Sequence, residues 1–188
     1  MSHLTKLAIA QSLKNLLQQK PLNKITISEI AEGCGINRMT FYYHFKDIYD
    51  LVEWICQEDV RKILQENSGY TTWQQGLLEI FAAVQENRIF ILNVYRCIHQ
   101  EQLEKYLQPL LDNLALSVIR QNMDGHTVSE TDQTFIARVY TYIFLGTVLD
   151  WVKEDMQPDP QQIVDRLGIL LQNTVGFALD RFQNSASA

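Results

Sequence analysis

Residues 26–46 read Thr-Ile-Ser-Glu-Ile-Ala-Glu-Gly-Cys-Gly-Ile-Asn-Arg-Met-Thr-Phe-Tyr-Tyr-His-Phe-Lys. Thr26 and Glu29 have the spacing of a capping box: the Thr26 hydroxyl can accept from the Glu29 amide while the Glu29 side chain reaches back. This predicts a short helix that ends at about Glu32. Gly33-Cys34-Gly35 stops it and supplies a tight turn. Asn37 is a good N-cap for a second short helix, Arg38 to His44. Two short helices joined by a tight glycine-containing turn are a helix-turn-helix. Ile30, Ala31, Ile36, Phe41 and Phe45 can all turn inward, and Ala31 is small where helices must approach. Arg38, Met39, Thr40, Tyr42, Tyr43 and His44 are left on the remaining surface of the second helix. A solvent-facing helix would normally carry Glu, Lys and Gln there, so this surface invites a partner.

Outward from this stretch the pattern is helical nearly throughout. Ile9, Leu13, Leu16 and Leu17 recur at helical spacing, predicting a helix from Thr5 to Gln19. Lys20 to Lys24, with Pro21, breaks it. Asp47 caps a long helix to Glu66, roughly 30 Å if unbroken. Asn67-Ser68-Gly69 ends that helix, and Thr72-Trp73-Gln74-Gln75 is a second capping box. Helices are expected at 72–86, 87–97, 100–121 and 132–154. The most loop-like part of the body is 122–131, and Gln157-Pro158-Asp159-Pro160 is a hard break. A last helix is expected from 160 to 183, followed by a frayed tail. The expected fold is all-α, with a three-helix helix-turn-helix domain over 1–46 and a helical bundle over 47–188.

The last two helices are apolar on two sides. In the first, Tyr140, Ile143, Phe144, Thr147, Val148 and Trp151 form one stripe, and Phe135, Val139, Tyr142, Gly146 and Leu149 another. In the second, Ile163, Leu167, Leu170, Thr174 and Phe177 face Val164, Leu171, Val175 and Leu179 across the helix. A helix apolar on two sides must be covered on two sides. A second copy packing a four-helix bundle across a two-fold axis is the economical cover. The expected dimer face is Tyr140, Phe144, Val148 and Trp151 with Leu167, Leu170, Thr174 and Phe177.

Composition narrows the class. The chain has 188 residues, 46% apolar and 20% charged, so it can build a core and disorder is excluded. Four prolines and eight glycines are too few for a linker-dominated or collagen-like chain. No apolar run approaches the ~18–20 residues that span a bilayer, and the polar-striped start is no secretory signal. Cys34, Cys56 and Cys97 are odd in number and sit in apolar-patterned segments, which predicts reduced thiols in a cytoplasmic protein. The net charge is −6, but unevenly spread. Residues 1–46 carry six Lys/Arg and two acids, giving +4, and the rest carries −10. A basic head on an acidic body places an anionic partner at one end.

The anion expected is double-stranded DNA. The second helix of such a unit enters the major groove N-terminus first. There Arg38 can donate twice to a guanine edge. Met39 lies beside it, and Thr40 and Tyr42 can reach phosphates or a thymine methyl. Tyr43, His44 and Lys46 sit at the far end, where backbone contacts belong. Thr26 and Ser28 open the preceding helix, whose amide end favours a phosphate. No Gly-rich phosphate loop, nucleophile elbow, triad spacing or metal-ligand spacing among His3, His44, His99 and His126 is present. No cofactor, metal or enzymatic activity is expected.

The run Ile30-Ala31-x3-Gly35-Ile36-x4-Phe41-Tyr42-Tyr43-His44-Phe45-Lys46, followed by a long amphipathic helix, resembles the N-terminal domain of TetR-like transcriptional regulators. The likeness covers residues 5–60. It implies an all-helical homodimer on a near-palindromic operator. It also implies a C-terminal domain that binds a small molecule and alters the spacing of two reading heads, with repression released by a ligand as the default. Two positions depart from the pattern: Ile48 stands where a lysine is common, and Met39 where a glycine is common. In the body, Glu66-Asn67-Ser68-x-Tyr70-x2-Trp73-Gln74-x2-Leu77-Leu78 and Glu86-Asn87-x-Ile89-Phe90 are similar to the branch that contains the activator of dihydroxyacetone kinase operons. That likeness implies activation through a protein coactivator. An effector pocket would draw on Trp73, Phe90, Tyr95, Arg96, His99 and Tyr142. A different class, a helical protein-interaction module with a purely structural helix-turn-helix, fits the acidic body as well.

Overall fold

The computed structural model describes residues 2–66, 72–97 and 100–186. Among these residues the secondary structure is helical, without strands. In chain order the helices are α1 (Ser2–Leu17), a 3-10 turn (Leu22–Lys24), α2 (Ile27–Gly33), α3 (Arg38–His44), α4 (Ile48–Glu66) and α5 (Trp73–Glu86). Then come α6 (Arg88–Cys97), α7 (Gln100–Gln121), α8 (Glu130–Lys153), α9 (Pro160–Leu170) and α10 (Thr174–Ala186). The chain forms two compact units. One is Met1–Lys62 with Asn87–Tyr106, the other Ile63–Glu86 with Leu107–Ala188. The helix-turn-helix therefore shares its unit with most of α4 and with α6. The helix stop expected at 67–69 lies outside the described residues.

In the first unit, α1 packs on α2, α3 and α6. Ile9 and Leu13 of α1, Ile30 and Ala31 of α2, Phe41 of α3, Phe45, and Leu51, Val52 and Ile55 of α4 are buried. Each fully buried side chain of this size contributes about 1.5–3 kcal/mol. The Thr26 capping box forms as its spacing requires. The Thr26 hydroxyl accepts from the Glu29 amide at 3.3 Å, and the Thr26 amide donates to Glu29 Oε2 at 2.9 Å. The Lys20 ammonium closes on the same carboxylate.

Two glycines are required here for different reasons. Gly35 has φ +70°, the left-handed conformation that turns the chain between α2 and α3. Gly33 permits close approach: a Cβ there would lie 2.4 Å from Ser12 Oγ. That hydroxyl is buried and donates to the Ile30 carbonyl at 2.8 Å. The far side of the unit is tied in by α6, where Asn93 Oδ1 accepts from the Leu22 amide at 3.0 Å.

In the second unit, α5 packs on α9 and α8 on α10. Trp151 meets Phe81 edge-on at 4.8 Å, and Trp73 stacks on Phe144 at 5.5 Å. The indole N–H of Trp151 donates to the Pro158 carbonyl, and Thr141 donates to Asp112 Oδ1, both at 2.8 Å. The 122–129 loop is fastened to α10 by His126 against Asp180 at 3.1 Å and by the Thr127 amide on Gln183 Oε1 at 2.7 Å. By length and composition α8 could cross a bilayer, which the sequence reading did not expect. Half of its apolar window is buried inside this protein, as in core helices.

Two expectations differ from the structure. The last helix is not continuous: it breaks between Leu170 and Thr174, where Asn173 has φ 59°. Asn tolerates that conformation through its short polar side chain. Thr174 Oγ1 donates to the Leu171 carbonyl and accepts from Tyr140 Oη, fixing the break against α8. The second difference is the phase of α8. Tyr140, Phe144, Val148 and Trp151, expected on a dimer face, are buried within this chain. Phe81 and Trp73 on α5 supply the large flat surfaces that draw Trp151 and Phe144 inward.

Gly33→Ala should displace the Ser12 hydroxyl and lower unfolding free energy by about 1–3 kcal/mol, measured by urea denaturation. Adding Ser12→Ala should recover part of that loss, and an unchanged midpoint for Gly33→Ala would disprove the close approach. Glu29 titrates at about 2 rather than 4.5, held down first by Lys20 and then by the Thr26 amide and hydroxyl. A depressed carboxylate stabilises the fold above its unfolded pKa and loses that contribution as pH falls toward its folded pKa. The stability gap between wild type and Glu29→Gln should therefore be full above about pH 5 and close toward pH 2.

Candidate nucleic-acid interface

The helix expected to read DNA, α3, is oriented by its own aromatic residues. Phe41 and Phe45 are buried, with rings 5.9 Å apart. Trp54 of α4 meets Phe45 edge-on at 5.8 Å. Turning those residues inward forces the opposite face into solvent. Met39 is 76% exposed and Tyr43 84%. Tyr42 is exposed and edge-on to Phe41, and His44 is half-buried against Tyr43 at 5.0 Å. Arg38 and Lys46 are exposed at the two ends of the segment.

Asn37 closes the N-terminus. Its Oδ1 accepts from the Thr40 amide at 2.8 Å and from the Thr40 hydroxyl at 3.1 Å. Thr40 is thus half-buried with its proton engaged, which leaves its oxygen lone pairs but no free donor for a phosphate. Thr26 is committed in the same way: its hydroxyl donates to Glu29 Oε2 at 2.9 Å. That carboxylate occupies the N-terminus of α2, so the phosphate expected at Thr26 would meet a negative charge there. Ser28 is exposed beside it.

The basic residues of the head divide into two sets. Lys14 pairs with Asp59 at 3.0 Å and Lys20 pairs with Glu29. Lys6 lies over the rings of Phe45 and Trp54 at 5.2 and 5.6 Å. Among the described residues Lys24, Arg38 and Lys46 have no ion-pair partner. This division is not visible in the sequence, because all three engaged lysines find partners that lie far along the chain or on the adjoining helix. Lys24 and Tyr49, which the sequence reading did not single out, are exposed in the same unit. Tyr49, in the first turn of α4, lines a cleft of about 380 Å³ with Lys46, Asp47, Asp50, Glu53 and Gln102.

Two of the three thiols, Cys34 and Cys56, are not activated. Burial pushes Cys56 up to about 12, helped by the charge of Asp59, and burial also raises Cys34. Neither is a thiolate near neutral pH.

The expected effector residues fall in both units. Phe90, Tyr95 and Arg96 lie on α6 in the first, and Phe90 is buried under the Lys14 ammonium at 5.6 Å. Trp73 and Tyr142 lie in the second, where Trp73 is half-buried and stacked on Phe144. Tyr142 is exposed and lines a cleft of about 280 Å³ between α7 and α8 with Gln108, Asp112, Leu116, Thr134, Ala137 and Arg138. His99 lies outside the described residues. On the last three helices Leu170 and Phe177 are exposed, Leu167 and Thr174 are half-buried, and Phe135, Val139 and Tyr142 form the outward stripe of α8.

Comparison with known proteins agrees with this geometry. Residues 9–55 match the family described as bacterial regulatory proteins, tetR family, and residues 71–173 match a transcriptional regulator C-terminal region. Over 139 residues the chain is 29% identical to the HTH-type dhaKLM operon transcriptional activator DhaS of Lactococcus lactis, covering 73% of each chain. Over 39 residues it is 46% identical to the HTH-type transcriptional regulator EthR of Mycobacterium tuberculosis, covering 21% of this chain and 18% of that one. Among solved structures, the dihydroxyacetone kinase operon activator DhaS superposes with a TM-score of 0.70 at 23% identity, covering 95% and 98% of the two chains. A TetR-family regulator from Rhodococcus gives 0.56 at 18% identity, with the same coverage. These relatives are DNA-binding regulators and not enzymes. With both its head and more than half of its length matched, the chain belongs to the TetR family of bacterial transcriptional regulators.

Proposed function

We propose that the protein is a homodimer that reads a near-palindromic operator with two copies of α3, in the cytoplasm, and that it activates transcription from that site. The observation that carries the DNA reading is the outward face of α3, with unpaired Arg38 and Lys46 at its ends and Met39, Tyr42 and Tyr43 between. Met39, Tyr42, Tyr43, His44 and Ser28 belong to the contact surface. Thr26 and Thr40 act through the caps they form. Two such heads would enter successive major grooves roughly 34–36 Å apart. The similarity to an operon activator favours activation, through a protein coactivator. A repressor released by a small molecule is the second reading, favoured by the cleft beside Tyr142.

The functional division we propose is a reading head over 1–46 and a regulatory and dimerising body over 47–188. The signal would travel through α6. That helix follows α5 after the single residue Asn87, yet it packs on α1 and hydrogen-bonds Leu22. A ligand or coactivator that prefers one setting of α6 would shift DNA affinity by about 1–3 kcal/mol, or 5–150-fold. The dimer surface would be Phe135, Val139 and Tyr142 on α8 with Leu170 and Phe177 on α9 and α10, flanked by Leu167 and Thr174. It replaces the inward stripe of α8 read from sequence.

Selection of duplexes from a random library at about 0.15 M salt should enrich an inverted repeat, and no enrichment with or without cell extract would refute the regulator reading. With three unpaired cations per head, six in a dimer, log Kobs against log salt should fall with a slope of about −5. Lys46→Ala should weaken binding to all sequences and flatten that slope by about 2, while Arg38→Ala should relax base preference. Light scattering should give twice the 21.8 kDa chain mass. Tyr142→Glu with Phe177→Glu should return it to the single-chain mass without loss of helicity.

A further inference from the structure

Met39 is the second residue of α3 and lies two positions before the buried Phe41. At about 100° per residue these two side chains point to nearly opposite sides of the helix. Met39 therefore projects along the line that leads directly away from the core. Tyr43, one turn later on the same side, is exposed as well. No other side chain of the helix combines this direction with a place in the first turn, the part that enters the groove. Its neighbour Arg38 carries five donors, whereas the Met39 thioether offers only a weak acceptor. At 76% exposure this flexible apolar side chain has contact area to gain when the helix enters a groove. The cover that suits it best is apolar and lies on the floor of the groove. The edges of B-DNA present one such group in the major groove, the C5-methyl of thymine.

We infer that Met39 is a specificity residue that reads a thymine methyl in each half-site of the operator. This rests on the proposed operator-binding function and extends it to one base. Polar edges are disfavoured at that position, because a base donor or acceptor facing the thioether loses its water without gaining a partner. The base pair it selects should be A·T, with the thymine methyl turned toward the start of α3.

The test uses the intact protein and the duplex enriched by selection, with each symmetric pair of thymines replaced by deoxyuridine, which removes the methyl and nothing else. For one pair, wild-type binding should weaken about fourfold per half-site, the worth of one buried methyl. Met39→Ala should bind more weakly from the outset and be insensitive to uracil at that pair, while uracil effects elsewhere stay unchanged. Met39→Leu should keep the sensitivity. Met39→Gln should shift selection at that position toward adenine on the contacted strand. Met39 is exposed, so all three variants should keep the wild-type melting temperature. Selective binding with the same uracil penalties in wild type and Met39→Ala would overturn the assignment of Met39 and leave the regulator standing. Absence of selective binding by the wild type would overturn both.

Discussion

The burial of Phe41 and Phe45 fixes which way α3 points. A seven-residue helix has too few internal hydrogen bonds to hold itself in water. Its persistence and its direction both come from docking those two rings against α1 and α4. The Asn37 cap and the glycine turn at Gly35 set where the helix begins, but the rings decide which side is left outside. Everything functional about the head follows from that single orientation. Two of the cations that remain unpaired, Arg38 and Lys46, are at the ends of the exposed face, and the side chains between them are mostly apolar or aromatic.

Much of the head was legible in its sequence because its signals are local. Capping boxes, a left-handed glycine and two aromatic residues four apart each act within one turn of helix, and α3 spans the residues its Asn cap predicts. Ion pairing was not legible. Lys14 meets Asp59 and Lys6 lies between Phe45 and Trp54, partners that only the folded chain brings near. The commitment of Thr40 to Asn37 and of Thr26 to Glu29 was half visible: the spacing named the caps, but reading phosphate contacts at Thr40 and at the amide end opened by Thr26 left out the proton of Thr40 and the carboxylate of Glu29 that the caps use.

The body shows a different limit. Periodicity correctly gave α8 two apolar faces but could not rank them, since both stripes repeat with the same spacing. The choice was made by α5, whose Phe81 and Trp73 fit against Trp151 and Phe144. The outward stripe is marked by its smaller and more polar members, Tyr142 and Gly146 beside Phe135. The break before α10 was equally hidden, because Asn173 is a weak stop when no glycine or proline accompanies it.

The first unit is assembled from two separate stretches, and the chain passes between the units three times. Modularity in function is therefore not modularity along the chain. A polypeptide cut after Lys62 would keep every residue of the helix-turn-helix. It would lose Asn93, the acceptor for the Leu22 amide, and the buried side chains of Phe90, Ile91 and Val94 that belong to the same unit. The head is consequently not a portable cassette. Transplanting its specificity onto another regulator calls for exchanging the surface of α3 residue by residue, within a recipient that already supplies its own α6.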